Sequence, residues 1–169
     1  MKIPTTACFT GHREQHLKMS ETKNREQFFA LTDKLENAVI DLCLFSGYTD
    51  FISGMALGVD TYAAETVVRL RNYGINVKLI CALPCKNQSA FWNDHQKSIY
   101  NDLLCRADDV ICLEERYSKG CMQRRNEYMI RNSSTLIGVW DGSPGGTAST
   151  VKLALKKGIP MIHIDPNNI

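Results

Sequence analysis

Short apolar segments alternate with amphipathic ones along this 169-residue chain. The amphipathic segments carry apolar residues at three- and four-residue spacing, which is typical of helices with one buried face. The segment 76–84 is nearly continuous in apolar residues, as expected of a strand buried on both faces of a parallel sheet. The pattern predicts strands over 5–10, 50–53, 76–84, 109–113, 135–140 and 160–164. It predicts helices from residue 20 to Ser46-Gly47, from 59 to about 74, within 85–107 after a loop, and over 118–132 and 147–157.

Strand and helix alternate throughout, which predicts an α/β protein with a Rossmann-like three-layer α/β/α arrangement and a mainly parallel sheet. No linker, repeat or low-complexity tract interrupts the pattern, so we expect a single domain over 1–169. In such sheets ligands bind at the carboxyl ends of the strands, where the strand order reverses. The candidate ligand-binding loops are therefore 10–13, 53–60, 84–92, 114–120 and 141–147.

Composition narrows the classes of partner. No apolar run approaches the roughly 20 residues that a membrane-spanning helix needs, so we expect no membrane partner. The first residues, MKIPTTACFTGHR, lack the apolar core of a signal peptide, which predicts a cytoplasmic protein. Twenty basic and 18 acidic residues give a net charge of +2, which leaves a nucleic-acid partner without strong electrostatic support.

The chain has seven cysteines. Five of them lie within apolar segments and are interpreted as small buried hydrophobic residues: Cys8, Cys43, Cys81, Cys105 and Cys112. Cys81 and Cys85 are close in sequence, but no second Cys or His pair follows at the spacing of a zinc site. The sequence therefore predicts no metal site and no obligatory cofactor.

The loop after the first strand reads Thr10-Gly11-His12-Arg13. Glycine permits a tight turn, and the arginine offers a two-pronged hydrogen-bond donor to a phosphate or carboxylate. Arg13 is interpreted as a ligand contact in preference to a surface ion pair. For His12, a ligand contact or general acid and a solvated loop residue stay as alternatives.

The loop after the second strand runs from residue 53 to residue 60 and is rich in small residues. Its small side chains leave room for a ligand near the start of the next helix. Asp60 falls in the first helical turn, a position that favourable interaction with the helix dipole alone would explain, and this structural role is preferred to ligand contact. The candidate ligand contacts in this loop are Ser53, Gly54, Met55, Ala56, Gly58 and Asp60.

The loop at 141–147, DGSPGGT, joins the fifth strand to a helix. A glycine-rich turn that opens onto a helix N-terminus supplies unpaired N–H groups and the positive end of the helix dipole, which together favour an anion. An ordinary strand-to-helix turn is the alternative. The candidate ligand contacts here are Asp141, Gly145, Gly146 and Thr147.

In the predicted helix 118–132, Met122, Arg125, Asn126 and Met129 share one face. An arginine on a face that points to the core is costly unless it meets an anion or a carboxylate. We therefore keep two alternatives for Arg125 and its neighbour Asn126: contact with a ligand, or an internal salt bridge with an acid such as Asp108 or Glu114.

The order of TGHR at 10–13, SGMALGVD at 53–60, RNEYM at 125–129 and WD followed by GGT at 140–147 resembles the YpsA-type branch of the SLOG superfamily. SLOG joins the DNA-processing proteins of the Smf and DprA type to the LOG cytokinin-activating phosphoribohydrolases. The resemblance implies a protein of bacterial type with a Rossmann-like sheet. It also implies a homodimer and a nucleotide or nucleotide-derived ligand, such as ADP-ribose, NAD or a nucleoside phosphate.

The resemblance also indicates which candidate residues could be catalytic. Met122, Arg125 and Met129 match the MxxRxxxM helix of the LOG enzymes, whose arginine is catalytic. Their PGGxGTxxE motif ends in a catalytic glutamate, but Thr150 stands at that position, and threonine cannot serve as a carboxylate base.

Three functions are therefore considered. The leading hypothesis is a regulatory protein that binds or senses a nucleotide. The first alternative is a hydrolase of the N-glycosidic bond of nucleotides that uses Arg125 with Asp60 or Asp141. The second is DprA-like binding of single-stranded DNA through a local basic cluster: Arg116, Lys119, Arg124, Arg125 and Arg131.

Overall fold

Six parallel strands form one sheet in a computed structural model that describes residues 5–169, so residues 1–4 of the predicted domain lie outside it. Their bounds are β1 Thr6–Gly11, β2 Asp50–Ser53, β3 Lys78–Leu83, β4 Asp109–Cys112, β5 Thr135–Val139 and β6 Met161–Ile164. All five strand pairs are parallel, in the order β4-β3-β2-β1-β5-β6. The predicted Rossmann-like α/β fold is confirmed.

The helices are α1 Glu14–Leu17, α2 Arg25–Ser46, α3 Val59–Asn72, α4 Asp94–Arg106, α5 Cys121–Arg131 and α6 Gly146–Lys156. The sequence pattern did not predict α1, because four residues are too few to show helical periodicity. The predicted start of α2 at residue 20 was wrong, since Ser20 and Lys23 pair with each other across a tight turn and the helix begins after it.

Alternate side chains of the central strands point to opposite faces of the sheet, as strand geometry requires. Phe9, Phe51 and Ile137 enter the larger apolar core, which α2, α3 and α4 cover. Cys8 and Leu136 enter a smaller core under α5 and α6. Burying an aliphatic or aromatic side chain of this size stabilises the fold by about 1.5 to 3 kcal/mol, so the paired cores explain why the sheet is covered on both faces.

The cysteines divide by position. Cys8 and Cys81 are fully buried, which confirms the interpretation for these two. Cys43 is half-buried, and the prediction was wrong for Cys105 and Cys112, which are exposed. Cys112 ends the edge strand β4, whose residues are mostly exposed, so an apolar sequence there does not imply burial on both faces.

The strand order fixes where a ligand site belongs. The chain moves outward from β1 through β2 and β3 to β4, then returns to pair β5 with the other side of β1. Gly11, at the end of β1, therefore lies beside Val139 at the end of β5. The loops that follow these two strands diverge on opposite sides of the sheet and leave a crevice between them. Within residues 5–169, no helix has both the length and the apolar character that crossing a membrane requires.

Candidate functional site

A cavity of about 580 Å³ occupies the crevice between the ends of β1 and β5. Its walls come from the loops that follow these strands, from α5, and from the loop between β2 and α3 with the start of that helix. Eleven predicted site residues line it: Thr10, Gly11, His12, Arg13, Ala56, Asp60, Arg125, Asn126, Gly145, Gly146 and Thr147. Five predicted residues lie outside its lining: Ser53, Gly54, Met55, Gly58 and Asp141.

Sequence reasoning missed several lining residues, namely Phe9, Gln15, His16 and Pro144. Phe9 belongs to the core and touches the cavity from below, so no local signal distinguishes it. His16 lies in the short helix α1, which the sequence pattern did not predict, so its place in the cavity lining had no signal in the sequence.

The loop after β5 is open toward the cavity. Among residues 5–169, a Cβ atom added at Gly145 or Gly146 would meet nothing within 4 Å beyond its chain neighbours and the backbone of its own helix, and Gly145 has a φ of +141° that side-chain-bearing residues rarely adopt. The helix α6 begins at Gly146, so its first N–H groups have no carbonyl partner within the helix. These donors and the positive end of the helix dipole face the space that a ligand would fill.

Arg125 is almost fully buried, with 4% of its surface exposed. Its guanidinium donates to the carbonyl oxygen of Gly54 and, through Nε at 2.8 Å, to Oδ1 of Asn126. Burial lowers the pKa of Arg125 and the Asp60 carboxylate opposes that change, yet a guanidinium stays charged in proteins. The residue therefore presents a fixed positive charge to the cavity floor.

Neither acid suggested by sequence pairs with Arg125. Asp108 accepts from Arg71 at 2.5 Å, and Glu114 accepts from Arg124 at 2.6 Å. The helical turn directs Arg124 outward and Arg125 inward, so adjacent arginines reach different acids. The proposed salt bridge with Asp108 or Glu114 is therefore wrong, and the carboxylate that acts on Arg125 is that of Asp60.

Asp60 is buried near the start of α3. Burial raises the pKa of its carboxyl, while the charge of Arg125 and the N–H of Ala56, 3.2 Å from Oδ2, act in the opposite direction. Arg125 and Asp60 flank Gly54 so closely that a Cβ atom at this position would overlap the guanidinium and lie 2.8 Å from Oδ2 of Asp60. Gly54 thus makes room for these two side chains.

The remainder of the loop after β2 satisfies its own polar groups. Ser53 Oγ donates to the Asp60 carbonyl at 2.7 Å and accepts from the N–H of Met55 at 3.1 Å. Met55 is fully buried in the larger core. Gly58 has a φ of +95°, and a Cβ atom there would lie 2.6 Å from the carbonyl oxygen of His12. This loop is packed against its surroundings, and only Ala56 and Asp60 reach the cavity.

Arg13 is exposed at the cavity mouth. Among residues 5–169, no carboxylate lies within ion-pair distance of its guanidinium. Its charge acts on both Asp60 and Arg125, which places it in the same electrostatic environment. Arg13 is thus available to an anion in the cavity.

Asp141 joins the two strand-end loops from behind the cavity wall. Its Oδ1 lies 2.8 Å from His12 Nε2, and its Oδ2 lies 2.8 Å from His16 Nε2. Hydrogen bonds from Ser143 and His16 hold the pKa of the Asp141 carboxyl well below its usual range. Burial lowers the pKa of His12, and the Asp141 carboxylate opposes that change. Asp141 is therefore ionised and lies beside two imidazoles.

Thr150 occupies the second turn of α6 and is buried. Its hydroxyl donates to the carbonyl oxygen of Gly146 at 3.1 Å, within the same helix. A hydroxyl bound in this way offers neither a charge nor a proton acceptor to the cavity.

A larger cleft, of about 900 Å³, lies between α2, α3 and α4. Acidic side chains dominate its polar lining, including Glu21, Glu65 and Asp102. Burial and the nearby Glu21 raise the pKa of Glu65 to about 7. Such a lining repels anions, so the smaller cavity is the better candidate for a phosphate.

Comparison with known proteins shows which family the chain resembles. The family model YpsA, described as the YspA SLOG family, matches residues 7–165. The SPbeta prophage-derived protein YoqJ of Bacillus subtilis is 36% identical over 138 residues, covering 75% of this chain and 81% of that protein. A UPF0398 protein of Halalkalibacterium halodurans is 27% identical over 160 residues, covering 93% of this chain and 82% of that protein.

Two solved structures share the fold. DNA processing protein A (DprA) of Streptococcus pneumoniae has a TM-score of 0.62 at 17% identity, and the match covers 95% of this chain and 50% of that one. The DprA of Helicobacter pylori, described with a single-stranded DNA binding mode, has a TM-score of 0.63 at 18% identity over 96% of this chain and 66% of that one. The chain thus spans about half to two thirds of these proteins, and the likeness concerns the fold.

Proposed function

Because the chain belongs to the YspA SLOG family, we propose that it binds a phosphate-bearing nucleotide in the cavity between β1 and β5. The observation that carries the proposal is the convergence of an open helix N-terminus, at Gly145-Gly146, with the charges of Arg13 and Arg125. A phosphate at the start of α6 would accept from backbone N–H groups, and the two arginines would balance its charge. The cavity volume is within the range of small-molecule sites, about 300 to 1,000 Å³.

Binding or sensing, with a regulatory outcome, suits the site better than hydrolysis of the N-glycosidic bond. The position that carries the catalytic glutamate in the LOG enzymes is filled by Thr150, whose hydroxyl is directed to its own helix. Asp60 is engaged by Arg125 and Ala56, and Asp141 by the two histidines and Ser143. Each acid proposed for the hydrolase alternative is thus already committed to a neighbour.

The first experiment identifies the ligand class. A thermal-shift panel should include AMP, NAD, ADP-ribose and cyclic nucleotides, with the corresponding nucleosides as controls that lack phosphate. A ligand that binds only the folded chain raises its melting temperature, by an amount that grows with concentration above the Kd. We expect a shift with phosphate-bearing members and none with the nucleosides. Equal shifts with the nucleosides would contradict the phosphate site.

The second experiment locates the site with three variants. A hydrogen bond to a charged group is worth roughly 1.5 to 3 kcal/mol, so Arg13→Ala should weaken binding of the best ligand by about tenfold to a hundredfold in calorimetric titration. Gly146→Val should have a similar effect, because its side chain would occupy the open space above the helix N-terminus. Arg116→Ala, an exposed arginine outside the cavity lining, is the matched control. Unchanged affinity in the first two variants would reject the site.

Single-stranded DNA is the second candidate, because the Helicobacter DprA is described as binding it. The supporting feature in this chain is the exposed set Arg116, Lys119 and Arg131, although Arg124 is neutralised by Glu114. Fluorescence anisotropy with a labelled oligothymidine would test this candidate. Tight binding that is lost in Arg116→Ala but kept in Arg13→Ala would favour DNA over the nucleotide, since phosphate contacts dominate such affinity.

A further inference from the structure

Two histidines that line the cavity converge on one carboxylate behind its wall. His12 lies two residues before the short helix α1, His16 lies within α1, and Asp141 follows the end of β5. One ligating atom from each residue can be chosen so that all three lie within 4.8 Å of one another. The two imidazole rings are stacked, with centroids 4.0 Å apart and an interplanar angle of 19°. This arrangement brings both Nε2 atoms to the same carboxylate.

We propose that His12, His16 and Asp141 form a site for one divalent transition-metal ion, with Zn²⁺ as the best-suited member of the class. The inference departs from the sequence-based expectation of no metal site, which considered cysteine spacing. It goes beyond nucleotide binding and does not depend on it.

The distances suit a metal after small side-chain movements. Ligand atoms at about 2.0 to 2.2 Å from zinc lie about 3 to 3.5 Å from one another in tetrahedral or octahedral geometry. The contacts from each Nε2 to the carboxylate are already 2.8 Å, so the three groups must open slightly to admit an ion. The exposed side chain of His16 can make that movement, since 47% of its surface is accessible.

Both ligand atoms of the His12–Asp141 contact already point at each other. Nε2 of His12 lies 2.8 Å from Oδ1 of Asp141 and 3.2 Å from the backbone N of the same residue. A metal ion would bind the one lone pair of Nε2 in the tautomer that carries its proton on Nδ1, and it would take the place of both contacts. It would also neutralise the carboxylate.

Asp141 is prepared for the ligand role by its neighbours. Ser143 donates to Oδ1 from its N–H at 2.9 Å and from its hydroxyl at 2.5 Å. Metal-binding carboxylates are typically oriented by such second hydrogen bonds. Two imidazoles and one carboxylate suit zinc and its first-row neighbours, whereas Mg²⁺ and Ca²⁺ prefer all-oxygen sites.

The three residues leave coordination positions open. His12 and His16 both line the cavity, so an ion between them would face the space assigned to the phosphate. Three protein ligands with one open position are the usual composition of a zinc site that binds a small molecule or water. An oxygen of a bound anion is the chemistry that fits this position.

The test uses the full chain, freed of metal by a chelator and kept reduced. Calorimetric titration with Zn²⁺ alone should give one equivalent bound with a Kd tighter than about 100 µM, and a large excess of Mg²⁺ should not compete. His16→Gln removes an exposed ligand and should weaken binding at least about tenfold. Asp141→Asn should act in the same direction. His95→Gln is the matched control, because His95 is an exposed histidine outside the cluster, and it should leave the Kd unchanged.

Co²⁺ distinguishes this site from the seven thiols of the chain. Nitrogen and oxygen ligands give visible absorption without the near-ultraviolet sulfur-to-metal band that thiolates produce. Zn²⁺ binding weaker than about 100 µM, equal binding in His16→Gln and the parent, or a sulfur-to-metal band would each overturn the proposal. No nucleotide is present in these titrations, so their failure leaves the proposed nucleotide function standing.

Discussion

The loops after β2 and β5 leave the same edge of the sheet, and both are rich in glycine, yet the glycines serve opposite purposes. In the loop after β2, Gly54 and Gly58 are glycines because neighbouring atoms leave no room for a side chain. In the loop after β5, Gly145 and Gly146 face open space. The first loop uses glycine for close packing, and the second keeps the approach to a helix N-terminus clear. Glycine content alone therefore does not identify a binding loop.

The largest expected effect concerns the buried arginine that the loop after β2 accommodates. Arg125→Ala removes the charge that faces buried Asp60 and the donor to the Gly54 carbonyl. Asp60 would lose its main counter-charge, and leaving a buried charge uncompensated costs about 3 to 5 kcal/mol of unfolding free energy. For a chain of this size that corresponds to a fall in melting temperature of about 6 to 20 °C, measurable by circular dichroism.

Arg124→Ala is the control for that experiment, because the neighbouring arginine is exposed and pairs with Glu114 on the surface. Its melting temperature should equal that of the parent protein. If the melting temperatures of both variants lie within about 2 °C of that of the parent, the loop after β2 is not tightly packed around Arg125 as described.

The next effect is that of Gly58→Ala. The added Cβ would need a φ of +95° and would lie 2.6 Å from the His12 carbonyl oxygen. Backbone strain and overpacking together should lower the free energy of unfolding by about 2 to 4 kcal/mol. Urea unfolding monitored by tryptophan fluorescence gives the value, provided that the slope m stays constant.

Two substitutions in the open loop should cost progressively less. Gly142→Ala requires a φ of +86° but meets no atom of residues 5–169 within 4 Å, so only backbone strain of about 1 kcal/mol remains. Gly146→Ala meets neither constraint and should leave stability unchanged or raise it by up to about 1 kcal/mol. The same urea assay measures both. A Gly146→Ala loss as large as that of Gly58→Ala would remove the distinction between the loops.

The smallest expected effect is catalytic. The open loop leads into a helix whose second turn carries Thr150 in place of an acid, so AMP should release adenine no faster than it does in buffer. Chromatography after prolonged incubation measures the free base. Sustained release that disappears in Arg13→Ala would instead support the hydrolase alternative and would locate it in this cavity.

Most of the sheet could be predicted from sequence, because apolar runs such as 76–84 mark the buried strands directly. The strand 50–53 was predicted with its observed bounds, and the others agree to within two residues at each end. Short α1 has no periodicity to detect, and burial at the edge strand β4 depends on the strand order, which the pattern of residues does not contain.

The candidate site was harder to predict, because contacts between residues distant in sequence decide which candidates face the cavity. Sequence suggested a ligand role for Gly54, but the structure places Arg125 and Asp60 directly above it. The convergence of His12, His16 and Asp141 joins positions about 130 residues apart, at distances that only the pairing of β1 with β5 creates. The two histidines are close in sequence, and the fold brings the carboxylate to them.

The contact between Gly54 and Arg125 also constrains how these positions can drift in evolution. A side chain at position 54 would overlap the guanidinium where it now lies, so Gly54→Ala requires Arg125 to shift and to give up its bond to the Gly54 carbonyl. A smaller residue at position 125 would free that space and at the same time leave Asp60 without its counter-charge. We therefore expect these three positions to change together or not at all, so that homologues lacking the arginine lack the aspartate and no longer require the glycine.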